Sequence, residues 1–144
     1  LNNVKMIFRV KSFTLSSGYG KDAKPYFYIK TEGGNLTRSE ILGIISSGET
    51  INFTDFIEII DVSDNKDLYP LNVEITAFDN NSQEVVHQYI PGYGYVDVKM
   101  DETLRIYGEN STYSFDFDIS DIEREFSISG YDAVLVFTIS SKED

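Results

Sequence analysis

No cysteine occurs in this sequence, and that absence removes disulfide cross-links, thiolate metal sites and thiol nucleophiles together. It fits a reducing compartment, although extracellular bacterial modules also do without cysteine. Cations are scarce: 12 basic residues stand against 24 acidic ones, for a net charge of -12. Such a balance repels phosphate backbones and anionic bilayers, so the chain is expected to bind no nucleic acid and to avoid anionic lipid unless a cation bridges the two. No apolar run approaches the roughly 18 residues of a spanning helix, which predicts no membrane insertion. Residues 1–15 set Lys5, Arg9 and Lys11 among alternating apolar positions instead of following a signal-peptide plan. A cytoplasmic or peripheral location is favoured over a secreted one on these grounds. Since the first residue is Leu1 and not methionine, an artificially trimmed or a processed form is expected, and a leader ahead of it stays open.

Catalytic fingerprints are lacking too: there is no P-loop, no GxSxG, no HExxH and no dinucleotide-binding glycine pattern. His87, the only histidine, lies among Val85, Val86 and Tyr89. A general base needs a nucleophile and an orienting partner, and no triad signature surrounds it, so it reads as a strand histidine. An enzyme is the least favoured class.

What the sequence has in abundance is short stretches of period-2 alternation. In Pro70 to Ser82, Leu71, Val73, Ile75 and Ala77 fall on one side of an extended chain while Asn72, Glu74 and Thr76 fall on the other. The cluster Asp79-Asn80-Asn81-Ser82 then predicts a turn. Val4 to Leu15 reads as a long first strand with Val4, Met6, Phe8, Val10, Ser12 and Thr14 on one face, and Pro25 to Thr31 as the second strand. Leu36 to Ser46 is ambiguous and, with Gly43 inside it, leans to strand. Thr50 to Ile60 reads as one strand and Asp61 to Tyr69 as a polar connection. Val85 to Tyr89, Tyr95 to Met100, Thr103 to Tyr107 and Tyr113 to Phe117 are short strands, with a turn at Pro91-Gly92-Tyr93-Gly94. Ser120 and Glu123 form a capping-box pattern that predicts one helical turn. Tyr131 to Ser140 reads as a central strand buried on both faces. Eight or nine strands at near-regular spacing, with at most one short helix, predict an antiparallel β-sandwich occupying residues 1–144 as one domain.

Three further features carry possible chemistry. Asp116, Asp118 and Asp121 alternate before the helical turn and offer oxygens to a divalent cation or an acid–base pair; the ordinary reading is a solvated strand face in an acidic chain. Tyr89, Tyr93 and Tyr95 flank the glycines of YIPGYGY, where exposed rings stack on sugars or anchor a protein partner. N-x-S/T triplets stand at Asn35, Asn52, Asn80 and Asn110, which suit glycosylation only in a eukaryotic secretory protein.

Taken in order, these pieces resemble the C2 domain family. Lys24-Pro25-Tyr26 matches the "DPY" segment that opens the family's second strand. Gly48 to Phe56, GETINFTDF, has the spacing of its "WNE-F-F" strand without the tryptophan. Leu71 to Asn81, LNVEITAFDNN, matches the strand that ends in an acidic "D-x-D" loop, and Gly130 to Ile139 matches the closing strand. The resemblance implies a C2-like sandwich in which the loops around Asp22 and Asp79 meet at one end. It also implies a degraded calcium site, because Lys24 and Asn81 stand where calcium-binding members carry aspartate. Asp22, Asp79 and Asn81 would supply a weak site at most, since calcium wants six to eight oxygens, several of them charged, and the Lys24 ammonium is expected to pair with Asp79. The expected function is a non-catalytic module that binds a protein partner with weak or no calcium dependence, through Lys24 or the tyrosine loop. The alternative is a secreted or cell-surface sandwich that recognises glycans or a host protein, perhaps with a structural calcium. Its cofactor expectation is accordingly none, or weakly bound Ca2+.

Overall fold

The computed structural model describes residues 3–33, 35–53, 57–63 and 69–142, and its architecture is all-β: two antiparallel sheets face one another around a common apolar core. Eight strands have five or more residues: β1 (Asn3–Leu15), β2 (Pro25–Thr31), β5 (Ile57–Ser63), β6 (Leu71–Ile90), β7 (Gly94–Leu104), β8 (Thr112–Phe117), β9 (Glu125–Ser129) and β10 (Ala133–Lys142). Two more, β3 (Leu36–Arg38) and β4 (Thr50–Asn52), have three residues each. The first sheet runs β4-β1-β10-β9, with β5 sharing the edge of β1 used by β4; the second runs β3-β2-β6-β7, with β8 sharing the edge of β6 used by β7. No helix of the described residues is long and apolar enough to cross a membrane.

The alternation in the sequence decides which side chains meet between the sheets. Phe8, Phe13, Leu135 and Phe137 come inward from the first sheet, and Phe27, Ile29, Ile75 and Phe117 from the second, all fully or almost fully buried. The Phe27 ring meets Phe8 and Phe13 edge-on at 6.3 and 6.0 Å between centroids, and each large side chain so buried contributes about 1.5–3 kcal/mol. A register shift between Val10 and Ser12 in the pairing with β10 transfers the inward face from Met6, Phe8 and Val10 to Phe13 and Leu15. Ser12 and Thr14 are therefore not on the inner face with Val10, as strict alternation predicts, because a bulge inserts one residue and inverts the parity beyond it.

Several boundaries differ from the sequence reading. Leu71–Ile90 is one strand of twenty residues, so Asp79-Asn80-Asn81-Ser82 does not reverse the chain. Between Asp79 and Gln83 the pairing with β7 shifts while both strands continue. Val85 to Tyr89 and Thr103 to Tyr107 are accordingly not separate strands: the first lies inside β6, and β7 runs unbroken to Leu104. Only Leu36–Arg38 of the ambiguous segment is strand. Beyond it Leu42 and Ile45 are buried, and Ile45 bridges Ala23. Thr50 to Ile60 contributes β4 and the start of β5, with Asp55 outside the described residues, and β5 extends through Ser63 into the stretch read as a polar connection. The helical turn is present as a 3-10 turn over Ile119–Asp121. Its capping box is formed by Asp118 and Asp121 and not by Ser120 and Glu123. Glu125–Ser129, absent from the sequence reading, is β9, which pairs with β10. Strand β10 is central as expected, but Val134 and Val136 on its second face are only half-buried.

Candidate functional site: a polar end and a projecting arm

At one end of the sandwich the residues around Asp22 and Asp79 do meet. Pro25 pairs with Asp79 at the end of the β2–β6 ladder. Beyond that point Asn80 N–H donates to the Lys24 carbonyl at 2.9 Å, and Asn81 Nδ2 donates to the Asp22 carbonyl at 3.2 Å. Asp79 is wholly buried, and its carboxylate accepts from Tyr19 Oη at 2.5 Å, Lys24 N–H at 2.9 Å and Asn81 N–H at 2.8 Å. A buried carboxylate is costly unless hydrogen-bonded, and these donors supply that compensation. Burial and the donated bond to Asp79 push the Tyr19 hydroxyl well above the ordinary tyrosine range. Lys24 contributes its backbone N–H, and no Lys24–Asp79 ion pair occurs among the described residues. The Asp22 carboxylate is exposed, and its carbonyl makes the contact with Asn81.

Beside this carboxylate opens a polar cleft of about 300 Å³, lined by Tyr19, Lys21, Glu84, Glu102, Arg105 and Asp132 among others. Lys21 Nζ lies 2.6 Å from Glu102 Oε2. Arg105 grips Asp132 through Nε and Nη2, both at 3.0 Å, while its backbone N–H donates to Asp132 Oδ2 at 2.7 Å. The bonds to Asp132 and its negative charge raise the Arg105 pKa. Asp132 reaches this position because Gly130 lets two backbones touch: a Cβ there would lie 2.3 Å from the Arg105 carbonyl oxygen. Glu84 is the one lining acid without an ion-pair partner among the described residues.

Above the cleft the second half of β6 and the first part of β7 leave the sandwich as a two-stranded arm, paired from Gln83↔Asp101 to Ile90↔Gly94. Its turn is closed by Tyr93 N–H on the Ile90 carbonyl at 3.0 Å, with Gly92 and Gly94 both at φ 87°, a left-handed conformation that favours glycine. Among the described residues, none between Ala77 and Leu104 belongs to the core. Opposed residues share a face, so one face carries Val85, His87, Tyr89, Tyr95, Asp97 and Lys99. The other carries Glu84, Val86, Gln88, Ile90, Val96, Val98 and Met100. On the first, which we call outer, His87 stacks on Tyr95 at 4.9 Å with ring planes 2° apart, Tyr89 meets Tyr95 edge-on at 5.2 Å, and His87 Nδ1 lies 2.7 Å from Asp97 Oδ1. Tyr93, at the tip, is 85% exposed.

The outer face continues onto the second sheet, where Tyr26 stacks on Phe78 at 5.4 Å and Arg38 lies over Tyr26 at 5.5 Å. Tyr26 Oη donates to Asp101 at 2.5 Å, and Asn80 and Gln83 amides donate at 3.2 and 3.4 Å. The Tyr26 hydroxyl bond, with smaller help from the two amides, holds the Asp101 carboxyl below the usual range; burial and the same bond raise the Tyr26 phenol.

Of the sequence candidates, Asp22, Lys24, Asp79 and Asn81 are thus brought together, and Tyr89, Tyr93 and Tyr95 form a second, exposed group at the end of the arm. The Asp116, Asp118 and Asp121 trio is not assembled as one site. Asp116 is exposed on β8, Asp118 caps Ile119 N–H at 2.8 Å, and Asp121 accepts from Asp118 N–H and from Arg124, each at 3.1 Å. Sequence reasoning missed Tyr19 and the Arg105–Asp132 pair, whose partners lie 60 and 27 residues apart. The nearest local sign was Gly130 immediately before the Tyr131-Asp132 pair. Compared with protein-family models and with curated proteins, the chain matches none.

Proposed function

We propose that this chain is a non-catalytic, C2-like interaction module that binds a protein partner, with weak or no dependence on calcium. The observation that carries the reading is the arm: a two-stranded ribbon with exposed rings and aliphatic side chains, outside the core, on a rigid sandwich. Such ribbons expose large apolar area and backbone edges, the features by which extended segments are recognised. C2-likeness is supported by the two antiparallel sheets and by the meeting of the Lys24-Pro25-Tyr26 and Asp79–Asn81 stretches at one end. Weak calcium dependence is supported by Asp79, whose carboxylate is buried and accepts from three protein donors, so a cation would have to displace them. Calorimetric titration is expected to show no binding below millimolar calcium; a large thermal shift at micromolar calcium would sink this part of the reading.

The stacked His87 and Tyr95 rings favour a second reading, glycan recognition by the outer face of the arm, because flat exposed rings stack on sugars. A glycan array separates the two: the protein-binding reading predicts no bound sugar.

A further inference from the structure

We propose that the inner face of the arm, with the cleft at its foot, seats an extended segment of a partner protein that carries a lysine or arginine at one end of a run of alternating apolar side chains. The inference rests on the protein-binding reading above and adds where the partner lies and what it looks like. Val86 and Val98 oppose one another directly on this face, and Ile90 and Met100 on either side of them are 37% and 45% exposed. The inner side of the sheet is covered by core residues only as far as Ala77 and Leu104, so no core cluster covers these aliphatic chains. Both backbone edges of the ribbon are open as well: pairing of β2 with β6 stops at Asp79, and β7 ends its sheet. An isolated two-stranded ribbon is marginal in water, whereas a third strand or an apolar cover stabilises it. An extended segment lying across the inner face supplies such a cover, its apolar side chains against Val86 and Val98.

Charge chooses the chemistry of that segment. Glu84 stands on the inner face where the arm joins the cleft and has no ion-pair partner among the described residues, whereas Glu102 and Asp132 beside it are paired with Lys21 and Arg105. A cationic side chain entering the cleft meets an unpaired carboxylate in a molecule of net charge -12. A second copy of this chain on the inner face would offer Glu84 no cation from the equivalent face, where Glu84 is the arm's one charged residue, and would bring together two chains of net charge -12 each, which is repulsive at ordinary ionic strength. The inner face is also mostly aliphatic, with Gln88 opposite Val96 and the arm's paired tyrosines on the opposite side, so the surface differs from the one a sugar would use.

The test is selection of random linear peptides against the full chain, with the enriched peptides measured on variants whose folding is checked by circular dichroism and thermal melting. Enrichment of a lysine or arginine at one end of a run of alternating apolar residues is expected. Val98→Glu should weaken those peptides about tenfold or more. Glu84→Lys, an exposed change that spares the apolar face, should abolish the preference for a cation at that end of the peptide and reduce the dependence of binding on salt. Enriched peptides indifferent to both variants but lost on Tyr93→Ala overturn the inner-face proposal while leaving protein binding intact. No enriched peptide overturns the proposal, and bound sugar on a glycan array then overturns the protein-binding reading with it. Concentration-dependent self-association abolished by Val98→Glu identifies a second copy as the occupant and overturns the basic partner.

Discussion

Asp79 shows how one side chain joins distant parts of the chain. Its carboxylate ties Tyr19 and Lys24 to β6, and because the site is fully buried, losing the acceptor leaves donors that no solvent can satisfy. Asp79→Asn turns one acceptor oxygen into a donor that faces N–H or O–H groups. It should cost about 3 kcal/mol, read as a melting temperature lower by about 10 °C in a domain of this size. Lys24→Ala keeps the N–H that makes the contact and should stay within about 0.5 kcal/mol; equal losses for both variants in a thermal melt would mean that the ammonium matters after all. The tyrosines make a separate, pH-dependent prediction. Tyr19 and Tyr26 both donate to carboxylates and both have hydroxyl pKa values raised above the ordinary value near 10.0. A group whose folded pKa is raised contributes stability that is complete below the unfolded pKa and fades as pH rises toward the folded one. Melting temperature should therefore not vary with pH through these groups near neutrality and should fall above pH 10. Phenylalanine at both positions should lower stability at neutral pH and flatten the alkaline decline; an unchanged slope in the double variant would assign the decline to other groups.

Among elements, the arm is the least secured. Its amides are bonded only across the ribbon, and its side chains bury nothing in the core, so local opening should require far less free energy than global unfolding. Hydrogen exchange should accordingly be fast for amides from Gln83 to Asp101 and slow for those of the central strands β1 and β10. Uniform protection across β6 would show that something else holds the arm. The elements also explain what could be read from sequence. Leu71 to Ala77 was legible because it has a buried face in fixed period with a half-covered one, and Ala133 to Ile139 because its apolar residues run unbroken as far as Phe137. The bulge at Lys11 was not, since nothing local marks an inserted residue when both neighbours suit a strand. Asp79-Asn80-Asn81-Ser82 was read as a stop because such side chains usually bond their own backbone; Asp79 does accept from Asn81 N–H, but its other donors come from residues 19 and 24. The strand shifts register there without reversing. The site divides in the same way. Asp22, Lys24, Asp79 and Asn81 could be placed together by resemblance, whereas Arg105 and Asp132 carry no pattern to link them. The exposed tyrosines were legible as a group because the Pro-Gly turn between Tyr89 and Tyr93 announces itself.

At the scale of the molecule, a sandwich that closes its own core carries a ribbon that adds nothing to that core. The described core passes from Ala77 on β6 directly to Leu104 on β7, drawing on both sheets at either side of that gap. If the ribbon serves recognition alone, it should be separable from the fold. Gln83 and Asp101 are opposed neighbours at its base, close enough for a two-residue Asn-Gly turn to join them in the twist a hairpin prefers. Replacing Glu84 to Met100 with that turn keeps the Tyr26–Asp101 and Gln83–Asp101 bonds, the buried Asp79 network and every described core residue. It also removes the exposed Tyr89, Tyr93 and Tyr95 and the aliphatic face of Val86, Val96 and Val98. The shortened chain should be monomeric and melt within about 5 °C of the parent, since a free two-stranded ribbon is close to neutral in water. It should also lose all binding to peptides selected against the parent. A drop of more than about 15 °C, of the size expected when several kcal/mol of packing is lost, would make the ribbon a structural part of the sandwich. Retained peptide binding would move the recognition surface to the aromatic patch of Tyr26, Tyr28 and Phe78 on the second sheet, which the excision leaves in place.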